Sequence, residues 1–363
     1  MGLLTLVGQD ITTVLRTDRS AYAQEWNLNV QRELPGSFLF DIAYAGNKGV
    51  KLPINVQLNQ LPDQYLALGS ALLEQVPNPF YPLITVGVLS QPKVARGQLL
   101  RPFPQFGAIN LRGVRAGNSI YHSMQLKVER RFSGGFSLLA AYTISKLITD
   151  APSRLAINFA SPEFQDSNNR RAERSLGNVD IPQRMVLSYN WELPFGPGKP
   201  FLGGRGGAAA KLLGGWQVNG ITAIQSGPTL GLTTMVNQTN SFGGGSRPNW
   251  TGQSAKLGGP TVERLDRYFD TSVFSQPPAF TFGNTPRTLP DVRAPSFVNF
   301  DFSLIKNTRL RERVNFQFRS EFFNLLNNTN FGAPGTTFGT ATFGVISSAA
   351  DARTIQFALK ILY

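Results

Sequence analysis

The chain has 363 residues, a formal charge of +13 and no cysteine, so disulfides and thiolate metal sites are excluded. No run approaches the roughly eighteen apolar residues of a membrane helix, and a 41% hydrophobic share suits a membrane protein only if strand residues alternate between lipid and a polar interior. The basic residues are scattered among Asn, Gln and Gly without any RNP, zinc-finger or helix-turn-helix pattern, so they read as a basic lumen and basic loops, and no nucleic-acid partner is expected.

In chain order, 1–8 reads as the tail of an earlier strand and 9–23 as a polar loop. MGLLTLVG lacks the basic start and the cleavage site of an export signal. From Gln24 the pattern settles: Trp26, Leu28 and Val30 alternate with Asn27, Asn29 and Gln31. After Pro35-Gly36, Phe38, Phe40, Ile42 and Tyr44 return against Leu39, Asp41, Ala43 and Ala45, which predicts a hairpin. A Pro-rich segment, 46–118, follows, with a short helix expected over 64–75. A second hairpin carries Met124, Leu126 and Val128, turns at Ser133-Gly134-Gly135 and returns through Phe136, Leu138, Ala140 and Tyr142.

Beyond the polar segment 149–180, a third pair holds Met185, Leu187, Tyr189 and Trp191, then Trp216, Val218, Thr222 and Ile224 after a Gly-rich connection. The segment 226–295 precedes a fourth pair: Val298, Phe300, Phe302 and Leu304, a turn over 306–313, then Val314, Phe316 and Phe318. The last loop, 325–351, leads to a terminal strand. There Ile355, Phe357, Leu359, Ile361 and Tyr363 share one face and Thr354, Gln356, Ala358 and Lys360 the other, with Leu362 the apolar intruder. About eleven residues is long enough for a tilted strand to cross a bilayer.

Connections alternate between short (near Pro35, Ser133, Pro194 and Lys306) and long (46–118, 149–180, 226–295 and 325–351), as periplasmic turns and extracellular loops do in outer-membrane barrels. Phe38, Phe132, Phe136, Trp191, Trp216 and Tyr363 all fall beside the short-turn ends, where an interfacial aromatic girdle would sit. Asp41, Lys127, Glu129, Asp301, Arg319 and Glu321 fall on the opposite, lumen face. The predicted fold is all-β: an antiparallel transmembrane β-barrel, here a partial, open segment of roughly nine strands.

Three stretches, LNVQRELPGSFLFDIAYAGNKGVKL from Leu28, RSLGNVDIPQRMVLSYNWELPFGPGK from Arg174 and VNFQFRSEFFNLLNNTNF from Val314, resemble the C-terminal barrel of TonB-dependent receptors. The resemblance is nearest to the Oar-like type common in Acidobacteria, which carries an N-terminal carboxypeptidase-regulatory-like domain. It covers 24–363, leaving 1–23 as a residual strand and loop. It implies an outer-membrane receptor of a Gram-negative bacterium that takes up a solute. It also implies energy from the TonB complex through a plug that this chain does not contain, and a terminal strand, Ile355 to Tyr363, read by the barrel-assembly machinery. Such transporters close with about 22 strands, so this chain is expected to be an open piece whose outer strands, near Gln24–Leu34 and Arg353–Tyr363, lack a second neighbour. The alternative is a structural or adhesive anchor that displays its long loops from the outer membrane.

Catalytic chemistry is not expected. His122 is the only histidine; it lies near Ser119 and Ser123, but strand neighbours alternate faces and no Gly-x-Ser-x-Gly elbow occurs. The Gly clusters at 203–207 and 243–245 lack the Lys-Ser/Thr of a phosphate loop. Asp166, Glu173, Asp180, Asp266 and Asp270 lack calcium-loop spacing. No cofactor is implied.

Overall fold

The computed structural model describes residues 5–16, 19–151, 164–204, 207–311 and 314–362. Nine strands follow one another as an antiparallel meander: β1 (Tyr22–Leu34), β2 (Phe38–Gln57), β3 (Ile109–Ser133), β4 (Phe136–Thr149), β5 (Gln183–Glu192), β6 (Trp216–Gln225), β7 (Phe297–Arg311), β8 (Val314–Phe323) and β9 (Thr354–Leu362). Each pairs with its neighbours in sequence. The sheet stays open, with β1 bonded only to β2 and β9 only to β8 among these nine.

The hairpins form where backbone chemistry allows them. Ser133 pairs with Phe136 across Gly134 and Gly135, whose φ values of 61° and 83° give a turn that only residues tolerant of left-handed backbone adopt. Strand identity follows from alternation. The register aligns Val30, Ile42, Leu126, Tyr142, Met185, Ile224 and Val298 on one row, and Phe302, Phe322 and Ile355 continue the same face to the last strand. A slip of one residue anywhere would carry a whole strand's apolar set to the polar side.

Several boundaries differ from expectation. Pairing between β2 and β3 continues past Gly46 to Gln57 opposite Asn110, so the irregular segment is 58–108 and not 46–118. Residues 54 and 56, which read as loop, add rungs opposite Val114 and Leu111, and Val56 and Val114 pack against the cluster around Ile54. The turn expected over 306–313 is strand as far as Arg311, which pairs with Val314. The polar loop over 9–23 contains a short strand, Ile11–Val14, that lies parallel to Ile109–Arg112, and Tyr22 and Ala23 already belong to β1. The short helix is a 3-10 segment, Asp63–Leu73, interrupted at Gly69.

Most of the densely packed core lies outside the sheet. It lies in the long connections, where Leu232, Ala255, Phe269, Phe274, Leu289 and Ile346 form the largest buried cluster and draw on both 226–296 and 324–353. Smaller clusters centre on Leu61, Leu66 and Leu72, on Ile84, Leu89 and Val94, and on Ile54, Ala151 and Phe164. A layer of loops therefore packs with itself at the long-connection end of a two-faced sheet.

Candidate solute-facing surface and loop layer

Alternation sends one residue in two to the polar face of the sheet, and the ladders bring the predicted lumen charges into two groups. In the first, Asp41 stands opposite Lys127 and accepts hydrogen bonds from Asn29 Nδ2 (3.0 Å) and Gln31 Nε2 (2.7 Å) on β1. Lys127 pairs with Glu129 on its own strand at 2.8 Å. In the second, Arg319 pairs with Glu321 at 2.6 Å, and Asp301 accepts from the backbone N–H of Asn324 at 2.9 Å. Asp301 thus secures the chain leaving β8, a structural task that the alternation pattern did not reveal. Beside this group runs an amide ladder in which Gln217 donates to Asn190 (2.9 Å) and Asn219 to Ser303 (3.2 Å).

Between the two groups the same face turns apolar. Leu139 and Ile221 flank Ser188 on one row, and both are exposed, at 41% and 52%. Sequence reading missed this strip because β4 to β6 carry apolar residues at successive positions, Leu138-Leu139 and Val186-Leu187, which blurs the two-residue period.

The opposite face carries the predicted terminal-strand set. Ile355 stands beside Phe322, Phe357 beside Ser320, Leu359 beside Phe318 and Ile361 beside Phe316, each outward and exposed. Tyr363 lies outside the described residues. At the short-turn end Phe136 faces Trp191 directly, and the Arg130 guanidinium lies 5.4 Å from the ring centre of Phe38 and 5.2 Å from that of Phe136. Phe132 is exposed just beyond, where the β3–β4 register slips. Trp216 donates its Nε1–H to Leu212 O at 3.0 Å and stacks under Lys306 at 5.5 Å. Phe38, Phe132, Phe136, Trp191 and Trp216 thus lie toward the short-turn end, with Arg130 and Lys306, which the sequence reading left out, among them.

Buried ion pairs hold the loop layer together. Glu173 and Arg247 form a salt bridge with both side chains nearly fully buried, and Arg287 Nε donates to the backbone carbonyl of Glu173 at 2.9 Å. Asp180 pairs with Arg293 at 2.5 Å. Gln60 donates to Asp166 at 2.6 Å, while Gln165 bridges Gly283 O and Arg247 N. These contacts tie 164–180 to 226–296 and, through Gln60, to 58–108. Composition showed only a polar segment there, because its partners lie about a hundred residues away.

Burial pushes the carboxyl groups of Asp166 and Glu173 above their ordinary values, against the pull of Arg247 and Arg287 on Glu173. A carboxyl that is raised on folding contributes stability that is fully present below its unfolded value and is lost as pH rises through its folded value. Asp270, lowered chiefly by the Ser272 hydroxyl, acts in the opposite sense but is outside the buried network.

A cleft of about 700 Å³ opens where this layer meets β2 and β3, lined by Asp10, Gln57, Gln98, Arg101, Asn110 and Phe242. Arg101 is pushed down to about 10 by burial, opposed by Asp10, and donates to Asn59 O, Gln98 Oε1 and Gly107 O at 2.8 Å each. The Asn110 Oδ1 atom is buried without a partner. Among the described residues no group of three His, Asp or Glu side chains is placed to hold a metal ion. His122 accompanies Tyr44 and Trp26 on the apolar face and not a serine nucleophile.

The outer membrane beta barrel domain family matches residues 2–356. The chain belongs to that family. Its place is the outer membrane, and its apolar face is the lipid face. No curated protein matches it in sequence. Among solved structures it is similar to the outer membrane transporter YddB from Escherichia coli, at 10% identity and a TM-score of 0.48, covering 98% of this chain and 34% of that one. It is also similar to the FrpB iron transporter from Neisseria meningitidis (10%, TM-score 0.40, 96% and 32%). A third is the ferripyoverdine receptor of Pseudomonas aeruginosa (9%, TM-score 0.39, 93% and 27%). The barrel segment spans about a third of the length of these chains.

Proposed function

We propose that residues 24–363 are part of the wall of a TonB-dependent outer-membrane receptor of the Oar-like type, with the long connections outward and the polar face turned to a solute path. The observation that carries this reading is the division of labour within one open sheet: a continuous lipid face, and a lumen face with two charged groups flanking an exposed apolar strip. Charged groups alone would suit any water-filled barrel. An exposed Leu139–Ile221 strip fits a lumen packed against a plug, whose own apolar surface would cover it. The role proposed is capture and passage of a solute, with no chemistry performed on it.

Growth profiling tests the reading. Cells lacking this gene should show a growth defect on a limiting solute when TonB is active, and the same deletion in a tonB strain should add nothing. A surface-adhesion defect that persists without TonB would instead favour the anchor reading, to which the self-packed loop layer lends support as a rigid display platform.

The terminal strand is proposed to be recognised by the barrel-assembly machinery. Removing Tyr363 should lower the amount of protein recovered in the outer membrane, measured by quantitative blotting of membrane fractions. An unchanged amount would count against that role.

A further inference from the structure

The connection from β5 to β6, 193–215, is the longest at the short-turn end. Its first part is a tight turn, in which Phe201 N–H donates to Pro194 O at 3.0 Å and Gly196 N–H to Phe201 O at 2.9 Å. The rings of Phe195 and Phe201 meet there with centres 5.8 Å apart. Its last part is a helix of seven residues, α1 (Gly207–Leu213). A Cβ on Gly196 would fall 2.5 Å from Gly214 Cα, so the turn rests directly on the end of α1. Lys199 reaches Glu192 at 2.7 Å, and Glu192 stands opposite Gln217 on the polar face, which ties the turn to that side of the sheet edge.

The end of α1 is tied to the other side. Trp216 and Lys306 stand opposite each other on β6 and β7, in the row that continues through Phe318 to Leu359 on the lipid face. Trp216 Nε1–H donates to Leu212 O at 3.0 Å. The Lys306 ammonium donates to Lys211 O at 2.6 Å and also to Gly214 O. Carbonyls in the last turn of a helix have no partner within it, and a cation there is favourable. A lysine that alternation sends toward hydrocarbon is thereby buried under a helix end, and α1 is held against the outer surface of the wall. So short a helix is marginal in water by itself, and these two side chains keep it in place.

What α1 shows to its surroundings is apolar. Leu212 and Leu213 are 68% and 47% exposed, and Phe195 and Phe201 beside them are exposed as well. Lys211, about 100° round the helix from Leu212, is an exposed cation of the same turn. This apolar surface continues the lipid face through Trp216, so the bilayer that covers the one covers the other. We propose that α1 is an interfacial foot lying in the head-group layer of a glycerophospholipid leaflet, with Leu212 and Leu213 at the acyl boundary and Lys211 among the phosphates. That this leaflet is the inner one rests on the orientation proposed above; the depth of α1 does not.

The chain has no cysteine, so single cysteines report each position. Full-length Leu212→Cys, Leu213→Cys, Lys211→Cys and Phe357→Cys variants, purified from outer membranes, are labelled with bimane and reconstituted in vesicles of phosphatidylethanolamine and phosphatidylglycerol. Nitroxide-bearing lipid and aqueous iodide serve as quenchers. Lipid nitroxide should quench at 212 and 213 as it does at 357. Iodide quenching at 212 and 213 should be roughly tenfold weaker than at 211, because an apolar face in the boundary is shielded from an aqueous ion. Lys306→Met removes the donor to the helix end, and it should open the 212 label to iodide while the 357 label stays lipid-quenched. Iodide quenching at 212 and 213 equal to that at 211 would overturn the foot, as would protection from both quenchers, which would mean a protein cover. Unchanged quenching at 212 in Lys306→Met would overturn the strap. Loss of lipid quenching at 357 with Lys306 intact would overturn the lipid face on which both rest. Failure of an impermeant maleimide to label Gln253→Cys on intact cells would move the foot to the other leaflet and overturn the glycerophospholipid assignment alone.

Discussion

Phe357→Arg and Leu359→Arg should each abolish stable membrane assembly, while Gln356→Arg should assemble like the parent. The two apolar positions lie at the middle of β9, exposed at 67% and 68% on the lipid face beside Ser320 and Phe318. An arginine near the bilayer midplane of a barrel costs about 2–4 kcal/mol. Among the described residues β9 pairs with β8. Gln356 stands opposite Glu321 on the polar face, where a guanidinium would meet a carboxylate. Membrane fractionation with protease protection reads the outcome, and equal behaviour of the two faces would refute the register.

Arg247→Ala should release the loop layer without melting the sheet. The Glu173 side chain is 1% exposed and its Oε2 atom already has no partner, so removing Arg247 strands a buried carboxylate. Breaking one side of a buried ion pair typically costs about 3–5 kcal/mol. The loss should fall on the contacts around Gln165, Gly283 and Thr285, which converge on the same pair. Hydrogen exchange at 164–176 and 245–250 should accelerate by about two orders of magnitude or more, with strand amides unchanged. Pairing the change with Glu173→Gln should restore part of the protection, because the stranded charge is then gone. Unaltered exchange in those segments would show that the pair does not hold the loops.

Much of this molecule is readable from the chain itself, for a physical reason. A strand between lipid and water must alternate, so Phe38 to Tyr44, Met185 to Trp191 and Ile355 to Ile361 declare both their conformation and their faces without reference to anything distant. The turns are equally local: two adjacent glycines at 134 and 135 announce a reversal whatever surrounds them. The pairing within each hairpin follows too, because a short connection leaves its two strands no neighbour but each other.

Where the period weakens, reading fails. Residues 47–57 and 109–118 carry Lys, Pro, Asn and Gly that look like loop, and only pairing across the two segments makes them strand. Asp301 carries the same inward signal as Glu321, yet one secures a backbone N–H and the other an arginine. The loops are the clearest case. Nothing near Glu173 in sequence names Arg247, and nothing near Leu232 names Phe269 or Ile346.

The sequence by itself thus determined the class, the strands and which side chains share a face, since each depends on side chains two residues apart meeting lipid or water. Tertiary structure alone decided the packed loop layer, its buried ion pairs and the apolar strip in the lumen. Those arise when segments tens to hundreds of residues apart are brought to one place, and desolvation there acts on partners that no local pattern records.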